Sequence, residues 1–174
     1  MKKRDYKIYS ILTRYLILLL IVVFGLPLIY KLFTPLTIYL TVFILDLFYE
    51  IATNSELILI NQTTFIYIVN ACIAGSAYLL LLILNLTIDL KPLERLKSIV
   101  YSFALLLVLN VIRISILGAL YHHEIPYVEF THAIFWYGLS TIFVIGIWFI
   151  TIKKFKIKNI PFYTDLRNLK NPHH

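Results

Sequence analysis

The sequence predicts an all-α polytopic membrane protein: four transmembrane helices, an extracytoplasmic interfacial helix and a short β-hairpin. Three observations predict it. Of the 174 residues, 60% are hydrophobic, and the mean hydropathy is +0.85, more apolar than a soluble domain of this length can hide. Several apolar runs approach the roughly 20 helical residues that cross a hydrocarbon core. Lys and Arg gather in short clusters beside those runs, the pattern that encodes orientation in a membrane. The whole chain reads as one membrane domain, with no internal repeat and no low-complexity segment.

Taken in order, the apolar runs place spans at about 15–33, 71–88, 98–121 and 133–152. The helical assignment rests on length and uninterrupted apolarity, not on periodicity. The first run follows Lys2, Lys3, Arg4, Lys7 and Arg14. It is longer than a signal-peptide core and lacks a small-x-small cleavage site, so it reads as a retained anchor. The stretch from about Pro35 to Tyr49 is apolar but short, and carries Asp46. Next, β-branched and aromatic residues flank Asn61-Gln62, which reads as a hairpin over 57–69 with a two-residue turn.

Charge decides whether Pro35–Tyr49 crosses. If it lies flat as an interfacial helix, the N-terminal tail, the Lys91–Lys97 loop and the C-terminal tail share one face. That face then carries 14 of the 16 Lys and Arg residues, leaving only Lys31 and Arg113. The other side collects Asp46, Glu50, Glu56, Glu124 and Glu129. If the segment crossed, the basic N-terminal tail would face outward, against the positive-inside bias. The sequence therefore predicts four spans with both termini cytoplasmic in the plasma membrane, and the hairpin and the Tyr121–Phe130 loop outside.

The net charge of +7 is spent on orientation, so it does not point to nucleic acid. A single cysteine, Cys72, excludes an intrachain disulfide and any Cys-rich metal centre, which leaves packing or chemistry for its thiol.

The predicted topology brings three reactive residues to one side. Cys72 sits at the outer end of the second span, and His132 at the outer start of the fourth. Arg113 lies in the third span, roughly 12 Å of helical rise from its outer end. Each has a bland reading. A lone Cys in an apolar helix is commonly a small hydrophobe, an Arg near a span end can snorkel, and an interfacial His is unremarkable. An arginine inside a span nevertheless costs about 2.5–3.5 kcal/mol on insertion scales. The agreement of depth and side lifts the set above its parts. Asn110, three residues before Arg113, shares its helix face and is placed to orient the guanidinium. Gly75, Ser76 and Ala77 form a small-residue patch that permits close helix approach. His122 and His123, with Glu124 and Glu129, lack metal-ligand spacing. No cofactor and no metal is expected, and His173 and His174 end a polar tail.

At these residues the sequence resembles the archaeosortase/exosortase superfamily, most closely its short archaeal branch, the pacearchaeosortases. The family has a cysteine in an A-C-x-G-like motif after an outer hairpin, an N-x-x-R-I motif one span later, and a histidine opening the last conserved span. Here these stand as Ala71-Cys72-Ile73-Ala74-Gly75, Asn110-Val111-Ile112-Arg113-Ile114 and Thr131-His132 followed by Gly138. The likeness covers about Pro35 to Ile152. In the family, Ser or Thr usually follows the cysteine and Gly comes directly after; here Ile73-Ala74 intervene and the glycine falls one residue late. The chain also lacks the extra N-terminal spans of larger members.

The resemblance implies a cysteine peptidase or transpeptidase with Cys72, Arg113 and His132 as its catalytic set. Its substrates would be secreted proteins ending in a sorting signal: a short motif, a transmembrane helix and a basic end. The acceptor would be a membrane lipid bearing an amine; water in its place would make the reaction hydrolysis. On this reading Cys72 thiolate attacks the scissile carbonyl, Arg113 holds the oxyanion, and His132 shuttles the proton. The alternative is a non-catalytic membrane scaffold or small transporter subunit, in which Arg113 pairs with Asp46 or Glu129 and Cys72 is packing.

Overall fold

The computed structural model describes residues 2–88, 90–126 and 140–155. They form α1 (Lys2–Asp46), β1 (Ile51–Asn54), β2 (Leu57–Ile60), β3 (Thr64–Tyr67), α2 (Asn70–Ile73), α3 (Gly75–Thr87), α4 (Pro92–His122) and α5 (Ser140–Lys154). Three stretches, Val23–Asp46, Asn70–Thr87 and Pro92–His122, are long and apolar enough to cross a membrane. The chain is therefore a mostly helical, membrane-embedded protein carrying one small sheet. Of the expected fourth span at 133–152, residues 133–139 lie outside the described residues; the remainder belongs to α5.

The first difference from the sequence reading is in α1. Where the sequence suggests a span at 15–33 and a separate interfacial helix at 35–49, one helix runs unbroken to Asp46, with Pro27 and Pro35 inside it. An interior proline removes one backbone hydrogen bond and crowds the preceding turn, which is why Pro35 looks like a boundary. Helix packing decides otherwise. Ile29, Phe33, Thr37, Thr41 and Leu45 are all buried and recur every four residues, one continuous stripe that passes Pro35 without a change of face. A flat helix from Pro35 would turn Thr37, Thr41 and Leu45 away from that stripe.

Two aromatic contacts and a hydrogen-bonded cluster set how the helices run. Phe33 of α1 stacks on Tyr78 of α3 at 4.0 Å between centroids and meets Phe103 of α4 edge-on at 5.7 Å. Each such pair contributes about 0.5–1.5 kcal/mol beyond its buried area. Leu45 lies beside Gly118, so α1 and α4 run in the same direction. α3 returns antiparallel. Near its end, buried Asn85 donates to Ser102 Oγ at 3.3 Å and to the Leu81 carbonyl at 2.7 Å, and accepts from Ser98 Oγ. Lipid tails are as apolar as leucine, so such polar contacts and small residues, more than hydrophobicity, hold helices together in a membrane. α5 is also antiparallel to α4: Lys154 caps the Tyr101 ring at 3.6 Å, and Phe155 lies edge-on to it.

The sheet stands between the C-terminal end of α1 and the start of α2. Its order is β1-β2-β3, antiparallel throughout, with Asn54 opposite Leu57 and Ile60 opposite Thr64. The expected hairpin is present as β2 and β3, and its loop is three residues long, Asn61 to Thr63, not two. Asn61 and Gln62 both adopt positive φ, 47° and 58°, the mirror-image turn that suits strand twist. The sequence reading missed β1. Its two-residue connection, Ser55-Glu56, depends on a positive φ of 54° at Ser55, and serine is a weak signal for that conformation. Ile58 and Ile60 are fully buried and anchor β2 on the helices, while β3 alternates half-buried and exposed positions.

Candidate functional site

Cys72 lies on α2, a single turn separated from α3 by Ala74, whose left-handed φ of 60° and ψ of 37° interrupt the helix. The break re-aims the chain just after the cysteine. Left-handed backbone costs a residue with a Cβ about 1–2 kcal/mol. Gly75, one residue on, answers a different need. A Cβ there would stand 2.5 Å from Tyr30 Cε1, so its role is the close approach of α1 and α3, not contact with the thiol.

Arg113 projects from α4 and is only 6% exposed. Its Nη1 donates to Ser140 Oγ at 2.7 Å and its Nη2 reaches the Cys72 carbonyl at 3.5 Å, while Nε has no partner among the described residues. No carboxylate pairs with it among the described residues; in particular it does not bond Asp46. Asn110 Nδ2 donates to the same Cys72 carbonyl at 2.8 Å. The sequence reading has Asn110 orienting the guanidinium; in the structure it holds the cysteine backbone instead. Ser140 was not anticipated, because nothing in the pattern around it marks a partner for Arg113. His132 lies outside the described residues.

Three helices agree on the depth of this cluster. From Arg113 back to Lys97, from Ser140 on to Lys153 and from Cys72 on to Thr87, the helical rise is about 20–24 Å at 1.5 Å per residue. Cys72 and Arg113 line one groove of about 350 Å³. One wall is β3 and the residues following it, Phe65 to Val69; the other is α4 as far as Tyr121. Apart from the thiol and guanidinium the lining is mostly apolar. Cys72 is half-buried in it.

At the C-terminal end of α4 the two histidines are structural ties. His122 Nδ1 lies 2.8 Å from Thr64 Oγ1 and its Nε2 lies 3.2 Å from Asn61 Nδ2. His123 Nε2 lies 3.1 Å from Tyr49 OH. Among the described residues no group of three metal-ligating side chains converges.

No protein-family model matches the chain, and neither the curated proteins nor the solved structures contain a match.

Proposed function

We propose that the chain is a membrane-embedded cysteine transpeptidase of the archaeosortase/exosortase kind. It would cleave C-terminal sorting signals of secreted proteins and transfer them to a lipid anchor. One observation carries the proposal: a buried guanidinium without a counter-ion among the described residues shares a groove with the only thiol. A cation inside a membrane domain is expensive unless it meets negative charge. The oxyanion of a tetrahedral intermediate would supply that charge transiently, which is the condition for stabilising a transition state over a ground state. The scaffold alternative needs Arg113 paired with Asp46 or Glu129; its contacts to Ser140 and Cys72 do not favour Asp46 in that role, and Glu129 lies outside the described residues.

In the proposed reaction Cys72 thiolate adds to the scissile carbonyl. Arg113 donates to the resulting oxyanion, and the C–N bond breaks as His132 protonates the leaving amine. The product is a thioester on Cys72. His132 then takes a proton from the acceptor amine as it attacks the thioester, and the thiolate leaves; water in place of the amine yields the free acid. We place both termini in the cytoplasm, with four spans and the groove opening to the extracytoplasmic face, because the basic clusters then share one side. A site 20–24 Å above that basic boundary would lie in the outer third of a hydrocarbon core of about 30 Å. A substrate crossing the bilayer would meet it there, and its extended segment would lie along β3.

The test is Cys72→Ala in cells expressing a tagged protein with a motif, a transmembrane segment and a basic tail. Accumulation of the uncleaved form is expected; normal processing would end the proposal. Labelling of Cys72 by a small membrane-impermeant alkylator checks the side independently.

A further inference from the structure

The groove has two walls from distant parts of the chain, and His122 is bonded to both sides of its mouth. It stands at the end of α4, one residue beyond Tyr121 of the groove lining, while its ring meets Thr64 at the start of β3 and Asn61 in the loop before it. We propose that His122 is a positioning residue that ties the loop before β3 to the end of α4, and that its bond to Asn61 forms only with the neutral imidazole.

The protonation state follows from Asn61. The Glu50 main-chain N–H donates to Asn61 Oδ1 at 2.9 Å. An N–H cannot accept, so the amide oxygen must face Glu50 and the NH2 group must face His122. Nε2 of His122 is therefore the acceptor in the contact with Asn61, and the ring proton sits on Nδ1, directed at Thr64 Oγ1. A second proton would turn Nε2 into a donor facing a donor, and the tie between α4 and the loop would be lost.

The surroundings offer the protonated ring little in return. The titratable neighbours from the α1 side are Tyr49, whose ring lies 5.2 Å from that of His122, and Glu50, which meets Asn61 through its main chain. From the end of α4 come His123, at 5.4 Å between centroids, and Glu124. No carboxylate bonds the ring among the described residues. His123 makes a separate bond, to Tyr49 OH, and does not touch β3. With the Asn61 bond released, the loop loses one of its ties while the Thr64 bond and the Ile66 contact at Gly118 remain, so the mouth of the groove loosens at the loop. The consequence for substrate rests on the reading of the groove given above; the tie itself does not.

Hydrogen exchange of the 57–69 segment in the purified full chain, in lipid nanodiscs, tests the tie without using turnover. Protection factors, with the intrinsic pH dependence divided out, are compared at about pH 8 and about pH 5, which bracket the range where imidazoles titrate. In the wild type, protection around the Asn61–Thr63 loop should fall about threefold or more at the lower pH. His122→Gln, which keeps a neutral donor and acceptor, should hold protection nearly constant. His123→Gln should fall as the wild type does. Asn61→Asp places a carboxylate against Nε2, so protonation then strengthens the contact and the trend should reverse. A wild type whose protection does not change, a His122→Gln that falls equally, or an Asn61→Asp with the wild-type trend would each overturn the proposal. If processing of the sorting-signal substrate proves independent of Cys72 while these exchange results hold, the catalytic reading fails and the tie stands.

Discussion

Asn110 Nδ2 donates to the main-chain carbonyl of Cys72 at 2.8 Å, binding α4 to the single turn that carries the thiol. Such a bond contributes about 0.5–1.5 kcal/mol, and more is lost when a buried partner is left unsatisfied. Here Arg113 Nη2 remains near the same oxygen and covers part of the loss. Asn110→Ala should therefore lower stability by about 1 kcal/mol in detergent melts. On the proposed mechanism it should reduce processing of a sorting-signal substrate by about tenfold, through misplacement of Cys72. Wild-type processing with an unchanged melting temperature would show that the bond positions nothing.

Arg113→Lys retains the charge but not the fork that reaches Ser140 Oγ and the Cys72 carbonyl from separate nitrogens. Lysine presents a compact, strongly hydrated ammonium, which a mostly apolar groove solvates poorly. On the proposed mechanism, removing one oxyanion donor costs about 10²–10³ in rate. Arg113→Lys should fall in that range while the protein remains folded. Turnover within about twofold of wild type would mean that only charge matters there, and that the planar contacts are incidental.

Ala74 offers a prediction of the opposite sign. Its left-handed φ of 60° suits glycine, at a saving of about 1–2 kcal/mol, set against about 0.5–1 kcal/mol of extra chain entropy lost on folding. Ala74→Gly should stabilise the protein by about 0.5–1 kcal/mol, read as a higher melting temperature. Processing should be retained, since no site contact changes. Destabilisation would show that the break after Cys72 is not held in this conformation.

The legible parts of this chain were those governed by bulk chemistry. Runs of apolar residues marked the helices over 70–87 and 92–122, and the Asn61-Gln62 polar pair between β-branched residues marked the β2–β3 hairpin. The pairing of Cys72 with Arg113 was readable too, because an arginine inside a span requires explanation wherever it occurs. What was missed depended on tertiary contact. Pro35 looks like a helix end until the Ile29-to-Leu45 stripe is seen packing on both sides of it. β1 depends on a positive φ at Ser55 that serine does not announce. Ser140 as the partner of Arg113, and His122 as a tie to Asn61 and Thr64, join residues 27 to 61 positions apart, and no local pattern connects them.

Gly118 and Ile66 form a matched pair across the groove. A Cβ on Gly118 would stand 2.8 Å from Ile66 Cδ1, so the absence of a side chain lets β3 settle on α4. Gly118→Ala should push the Ile66 tip aside, at about 1–3 kcal/mol for overpacking, partly offset by better helix propensity. Ile66→Val deletes the colliding methyl. The double variant Gly118→Ala/Ile66→Val should be more stable than the sum of the single effects predicts, with a coupling of about 0.5–1 kcal/mol. Additive melting shifts would mean that the two residues are not in contact.

Tyr67 OH donates to Glu56 Oε2 at 2.7 Å on the exposed side of the sheet. That hydrogen bond, followed by the nearby carboxylate charge, raises the phenol above its ordinary value of 10.0. A tyrosine protonated more tightly in the folded state than in the unfolded chain loses its stabilising contribution as the pH rises past the ordinary phenol range. Read with the proton on, its contribution is present at neutral pH and is lost as the pH rises through the raised folded value. Ultraviolet difference titration should show one tyrosine ionising later than a free phenol, and Glu56→Gln should bring that ionisation back down by removing both the acceptor charge and its field. Tyr67→Phe should remove the Glu56-dependent part of the late ionisation. If Glu56→Gln leaves the titration curve unchanged, Glu56 is not the group that holds the phenol proton.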